Sequence, residues 1–210
     1  RSAALVGKDG SVDWAPAPYL DSPSVFAAIL DAKKGGRLSI APKGAYTSTQ
    51  EYIKETNILV TRFVAERGTL EVLDYMPIKS GAESEQDRKE QEERAEIHRK
   101  VTCVKGECEV VVEFSPRFDY AQGTTKLQEI AGGVFAEHDS GLKGVLASSV
   151  KHTVENDAAR ATFSLKEGEV SYFAFHYHET THRDYSNEHY EEELKEKKNI
   201  ITEIYGFDVG

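Results

Sequence analysis

Ile58-Leu59-Val60-Thr61-Arg62-Phe63-Val64-Ala65-Glu66-Arg67-Gly68-Thr69-Leu70-Glu71-Val72-Leu73-Asp74-Tyr75-Met76 decides the fold class of this chain. It divides at Arg67-Gly68 into two runs rich in β-branched and aromatic residues. Such runs joined by a Gly-containing turn predict an antiparallel hairpin. Pro77 ends the pairing, since proline has no N–H to give a ladder. The same period-2 pattern recurs on both sides. Tyr46 to Ile53 precedes the hairpin. Glu96 to Val104, Glu107 to Phe114, Lys126 to Ile130, Gly133 to Glu137, Gly144 to Ser149, Ala159 to Leu165 and Val170 to Tyr177 follow it. Gly132-Gly133 and Lys166-Glu167-Gly168-Glu169 supply turns. Short strands at this spacing predict an all-β, two-sheet antiparallel sandwich of large size, because so many strands in one open sheet would curl or split.

The first forty residues add detail. Gly7-Lys8-Asp9-Gly10 sits between Ala3-Ala4-Leu5-Val6 and Ser11-Val12-Asp13-Trp14, a hairpin signal resting on Asp-Gly. Pro16 and Pro18 exclude a central strand just after Trp14. Asp21 to Leu30 predicts a short helix, with Ser22 as N-cap and Pro23 at the first helical position. Gly35-Gly36 then releases the chain into a strand at Arg37 to Ile40. Residues 79–95 are densely charged and read as a solvated excursion. Asn187 to Tyr205 carries Tyr190, Leu194, Ile201 and Ile204 at helical spacing, with Gly206 as a C-cap, and predicts a C-terminal helix. The expected organisation is a sandwich over 1–185 and a helix or linker over 186–210.

Composition narrows the function classes. A net charge of -10 opposes nucleic acid and anionic membrane surfaces as partners, since both are bound through Lys and Arg. No apolar run approaches the ~20 residues of a spanning helix. Cys103 and Cys108 flank Lys105-Gly106-Glu107 in a hairpin-like setting and are read as reduced thiols, because two cysteines make no disulfide framework. The chain opens at Arg1-Ser2 without Met, so its natural N-terminus is expected upstream.

Three constellations could carry chemistry. His176 and His178 alternate on a predicted strand and would share a face, with His182, Asp184 and His189 close behind. His176, His178 and His182 resemble a zinc-type set, but the plainer reading, two histidines lining a last strand, is preferred, and no metal or other cofactor is expected. Glycoside hydrolysis needs two placed carboxylates, and 36 acidic residues single out no pair. Neither Gly-x-Ser-x-Gly nor a phosphate-binding glycine loop occurs. Trp14, Tyr19, Phe118 and Tyr120 lie in or beside Pro-containing loops, where rings either stack on sugars or plug the ends of a sandwich.

Several stretches, taken together, resemble a known family. Arg1 to Trp14, Asp21-Ser22-Pro23-Ser24-Val25-Phe26-Ala27-Ala28-Ile29-Leu30-Asp31, Gly35-Gly36-Arg37, Tyr52 with Thr56-Asn57-Ile58-Leu59-Val60-Thr61, Asp74-Tyr75-Met76-Pro77 and Pro116-Arg117-Phe118-Asp119-Tyr120 follow one another. In this order they resemble the N-terminal domain of glycoside hydrolase family fifteen, the prokaryotic and archaeal glucoamylases and trehalases. The resemblance runs from Arg1 to about Tyr177. It implies a supersandwich-like β-domain followed by an (α/α) barrel carrying two catalytic glutamates. Only a short segment follows Tyr177, so no catalytic residue is assigned here.

Tyr19-Leu20 stands where the family has an Arg-Phe pair. The segment from Tyr185 to Ile201 lacks the family's tryptophan-rich sequence, and the charged stretch after Pro77 is unusually long. The resemblance implies a non-catalytic domain that stabilises a barrel, in cis or in trans. Trp14, Tyr19, Asp21 and Ser22 would lie at the rim of its α-glucoside pocket. The alternative is a free-standing carbohydrate-binding or interaction sandwich, which could self-associate. Glucoamylase and trehalase specificity are not distinguished by this part of the family.

Overall fold

The longest element among the described residues is a strand of 20 residues, β8 (Glu96–Ser115), and it organises the fold. The computed structural model describes residues 2–77 and 95–178. Before β8 come β1 (Leu5–Val6), β2 (Ser11–Pro16), β3 (Ser24–Phe26), β4 (Arg37–Pro42), β5 (Tyr46–Tyr52), β6 (Leu59–Ala65) and β7 (Gly68–Tyr75). After it come a four-residue turn α1 (Phe118–Ala121), then β9 (Thr125–Ile130), β10 (Gly133–His138), β11 (Lys143–Ser148), β12 (Thr153–Glu155), β13 (Ala158–Lys166) and β14 (Val170–Tyr177).

The N-terminal half of β8 pairs with β7 on one side and β14 on the other. Its C-terminal half pairs with β4 and β13. One layer is therefore β5-β6-β7-β8-β14-β11-β10-β9, and the other is β1-β2-β4-β8-β13-β12 with β3 on β2. All pairings are antiparallel. The strands form one hydrogen-bonded ladder folded into two facing layers, which is the expected sandwich with one strand shared.

The sequence reading split β8 in two at Lys105-Gly106-Glu107. No hairpin forms there. Cys103 lies opposite Leu70 of β7, and Cys108 lies opposite Leu165 of β13. The Gly signal marks a bend instead. Gly106 has φ +71, and a Cβ on it would come within 2.3 Å of the Arg67 carbonyl. Only glycine meets both conditions cheaply. The β13–β14 turn follows the same bend: Gly168 N–H donates to Cys103 O at 2.8 Å, and Glu167 N–H to Gly106 O at 2.8 Å.

Between the layers lies one continuous core. Odd-numbered residues of β8 before the bend, Ile97, Val101 and Cys103, point into it with Leu70, Val72, Phe173 and Phe175. Arg99 shares that face and is fully buried. Its guanidinium donates to both Asp74 carboxylate oxygens (2.6 and 3.1 Å), to Leu38 O (2.7 Å) and to Gly10 O (2.8 Å). This side chain ties the first hairpin turn, β4 and β7 to the centre of the sandwich. Gly10 has φ +79, as the Asp-Gly turn requires, and its carbonyl is thereby aimed at Arg99.

The helix expected over Asp21 to Leu30 is absent. Ser24–Phe26 is a short strand on the edge of β2, with all three residues buried. Phe26 explains the outcome. Its ring sits 6.2 Å from Phe114 and 5.4 Å from Phe175, wedged between the layers. A helix would have buried Ile29 and Leu30 along with it, yet these are 58% and 72% exposed. Tertiary burial of Val25-Phe26 overrides the local capping signal. Ser22 does cap, but it caps a loop: its Oγ accepts the Tyr19 N–H at 3.1 Å. The sequence reading also missed β12, whose polar residues hide it. β12 joins β13 through Asn156-Asp157, both with positive φ. The charged excursion and the C-terminal helix lie outside the described residues.

His152 precedes β12 in a dry setting. Its Nδ1 faces Val150 O at 2.9 Å and its ring stands edge-on to Phe173, while Nε2 has no hydrogen-bond partner among the described residues. Burial lowers its pKa below the ordinary 6.5, and the Val150 carbonyl and Glu129 oppose that shift only in part. The unfolded chain then takes up the proton first. The stability His152 contributes is complete above pH 6.5 and is lost as pH falls from there through the lower folded-state value. Urea midpoints of the native chain should therefore drop on acidification more steeply than those of His152→Gln. Equal slopes would remove His152 as the source.

Candidate functional site

Two places collect the residues that sequence reading singled out. The first is the loop end beside β2 and β3. Trp14 is half-buried on β2, opposite Leu5 of β1. The chain then turns through a cis Ala17–Pro18 peptide. Tyr19 and Ser22 are joined by the N–H to Oγ bond already described, and Asp21 is exposed between them and β3. α1 brings up the facing side. Asp119, Tyr120 and Ala121 all have positive φ, a left-handed run that is uncommon for non-glycine residues and that turns Tyr120 outward. The Tyr120 ring lies 6.2 Å from Trp14, and its hydroxyl lies 3.5 Å from Ser22 O. Ile29 N–H donates to Asp13 O at 3.2 Å, which brings the Ala27–Asp31 turn alongside.

The structure thus gathers Trp14, Tyr19, Asp21 and Ser22 at one end, and adds Tyr120, Leu20, Ile29 and Leu30. Leu20 is 65% exposed and Tyr120 45%. Scattered surface apolar residues are ordinary, and these four lie on segments that meet at this end. Phe118 differs from its neighbour: it is buried against His138 and Tyr177 and plugs the sandwich end. Ile29 and Leu30 were not singled out because the sequence reads them as part of a short helix.

The second place is the outer face of the larger layer. Even-numbered residues of β8 before the bend point away from the shared core. There Glu96 Oε2 lies 3.1 Å from His98 Nε2 and 3.6 Å from Nδ1 of His176 on β14. All three side chains are buried. His176 and His178 do not share the face expected for them. β14 ends at Tyr177, and His178 has φ +63 and is exposed, so its ring leaves the strand's alternation. His182 lies outside the described residues. Glu96 and His98 escaped sequence reading because they are distant in sequence from His176 and meet it only through the β8–β14 register.

Among the described residues, the cysteines and the buried carboxylates sit in structural settings. Burial, with the neighbouring Cys103, pushes the Cys108 thiol up to about 11, away from the thiolate a nucleophile needs. Both cysteines are free and buried. Among the described residues the buried carboxylates are Asp74 and Glu96. Asp74 is locked onto Arg99 inside the sandwich, and Glu96 faces the other side of the same layer, so they cannot flank one glycosidic bond.

Comparison with known proteins agrees with this anatomy. A family model described as "Trehalase-like, N-terminal" matches residues 1–198. A trehalase of Thermoplasma acidophilum is 35% identical over 132 residues, which is 61% of this chain and 21% of that protein. A trehalase of Mycolicibacterium smegmatis is 30% identical over 192 residues, or 83% of this chain and 28% of that protein. A trehalase of Mycobacterium tuberculosis is 30% identical over 191 residues with the same coverage. The chain therefore spans only 21% to 28% of the length of these three relatives. With a family match across nearly its whole length and a β-sandwich to go with it, the chain belongs to the family of trehalase-like N-terminal domains.

Proposed function

We propose that this chain is the non-catalytic N-terminal domain of a glycoside hydrolase of the trehalase or glucoamylase type. It stabilises a catalytic (α/α) barrel and lends Trp14, Tyr19, Asp21 and Ser22 to the rim of that barrel's substrate pocket. The observation that carries this reading is the exposure of Leu20, Ile29, Leu30 and Tyr120 on the segments that adjoin those four residues. A surface of this kind is stabilised when a partner removes it from water, at about 25 cal/mol per Å² of apolar area. In relatives of which this chain spans 21% to 28%, the remaining length would supply such a partner within one polypeptide. The described carboxylates support a supporting role, since those buried ones are committed to structure. The resemblance assigns hydrolysis to two glutamates of the barrel.

The test is glucose release from trehalose and from maltose by the purified chain. No release above a blank is expected, and release would overturn the non-catalytic reading. Calorimetric titration with the same sugars separates this reading from a free-standing sugar-binding module. Saturable binding that disappears in Trp14→Ala or Tyr19→Ala would favour the module.

A further inference from the structure

We propose that Glu96, His98 and His176 form a binding site for a divalent transition-metal ion of the Zn2+ class, which staples β8 to β14 on the outer face of the larger layer. The site is independent of the loop-end surface. Three observations carry it.

The donor set comes first. Two imidazoles and one carboxylate suit Zn2+, which takes nitrogen and oxygen ligands in a tetrahedral shell. Ca2+ and Mg2+ prefer all-oxygen shells. The spacing comes second. Ligands about 2.0–2.1 Å from a tetrahedral ion stand roughly 3.3–3.4 Å from one another. Glu96 Oε2 is 3.1 Å from His98 Nε2 and 3.6 Å from His176 Nδ1, on either side of that value. The donor atoms of all three residues lie within 4.8 Å of one another. The two rings meet edge to face with centroids 5.5 Å apart, beside the carboxylate they share.

Third is the scaffold. Glu96 and His98 are alternate residues of one strand, and His176 is the cross-strand partner of Glu96. The central ladder therefore fixes all three Cα positions before any metal arrives. The Tyr75 ring, 5.2 Å from His98, packs against the cluster. His98 is 1% exposed and His176 5%. An ion held there is closed to substrates, so its role is structural. Filling the remaining coordination position with water or a further donor would complete a four-coordinate shell.

The experiment uses the whole 210-residue chain, stripped with chelator and then given ZnCl2 or CoCl2, both when folded and during refolding. Adding metal during refolding avoids any barrier to entry of the folded site. After dialysis the native chain should retain a single equivalent of Zn2+ and unfold at higher temperature than the stripped chain. With Co2+ it should show the intense visible bands of a four-coordinate ion. His98→Gln with His176→Gln should weaken Zn2+ binding by more than the roughly 10- to 100-fold that removing an outer-shell partner costs. His178→Gln, which changes an exposed neighbour, should keep the full equivalent. Glu96→Gln preserves the side chain's shape and should also lose affinity, because it removes the carboxylate ligand. Failure of the native chain to retain Zn2+ or develop the Co2+ bands would overturn the site, whatever the variants do. So would unchanged retention in the double variant. In that case the three side chains are a hydrogen-bonded triad and nothing more.

Discussion

An Arg99→Met variant is expected to lose about 3–5 kcal/mol of stability in urea unfolding, the usual cost of removing one partner from a buried ion pair. Met keeps the volume and the unbranched stem, so the loss isolates the charge and its hydrogen bonds. Asp74 would stay behind, buried, with its bidentate partner gone. The Gly10 and Leu38 carbonyls would each lose a donor from the same head group. An unsatisfied buried acceptor costs about 1–3 kcal/mol by itself.

Two comparisons sharpen the expectation. Arg62 pairs with Glu71 at the surface, and Arg62→Met should change stability by no more than about 1 kcal/mol. Adding Asp74→Leu to Arg99→Met should restore part of the loss, because it removes the stranded charge. Full restoration is not expected, as the Leu38 and Gly10 carbonyls still lack the Arg99 donor, Gly10 O keeping only its bond from Ile40 N–H. An Arg99→Met effect no larger than that of Arg62→Met would mean that Arg99 does not hold the layers together.

Phe26→Ala is expected to cost about 3–5 kcal/mol, the range for truncating a fully buried aromatic. Phe26 touches Phe114 of one layer and Phe175 of the other. Neither ring can follow the retreating side chain without disturbing its own strand, so a cavity remains. The paired control is Ile29→Ala. In the strand-and-turn structure Ile29 is exposed, and its truncation should stay within about 0.5 kcal/mol of the native chain. In the helix expected from sequence, Ile29 and Phe26 would share a buried face, and both truncations would be severe. Thermal or urea unfolding of the two variants therefore distinguishes strand from helix at residues 24–30. A large Ile29→Ala effect would overturn the structure there.

Most strands were legible because their cause is local. The alternation over Leu59 to Ala65 and Leu70 to Tyr75 is set by which side chains face the core, and it survives in the sequence as a period. Turns at Gly10 and at Arg67-Gly68 were legible for a similar reason, since their backbone demands residues of a particular kind. The segment at Ser22 to Leu30 was misread because its local signals are good helix signals. Ser22 and Pro23 would start a helix in isolation. What decides otherwise is a slot between Phe114 and Phe175, residues distant in the chain. β12 failed for the opposite reason: an edge strand of three residues with two exposed ones has too little pattern to detect.

The candidate sites divide along the same line. Trp14, Tyr19, Asp21 and Ser22 were named through the family resemblance, and they lie within nine residues of one another, Trp14 on β2 and the others in the segment between β2 and β3. Tyr120 joins them only because α1 folds back beside Trp14. Among the histidines, nearness in sequence misled. His178 is two residues from His176, yet positive φ turns it away, while Glu96 and His98 arrive from a strand some eighty residues earlier.

By itself, then, the sequence determined that this chain is built of antiparallel strands, where most of them turn, and which family it resembles. These depend on side-chain alternation and backbone preference, which act over a few residues. Only the tertiary structure decided that β8 is one strand shared by two layers, that Arg99 and Asp74 meet, and that Glu96, His98 and His176 converge. Each of those depends on the register between strands far apart in the chain. Register is fixed by the whole core closing at once, and no short stretch of sequence carries it.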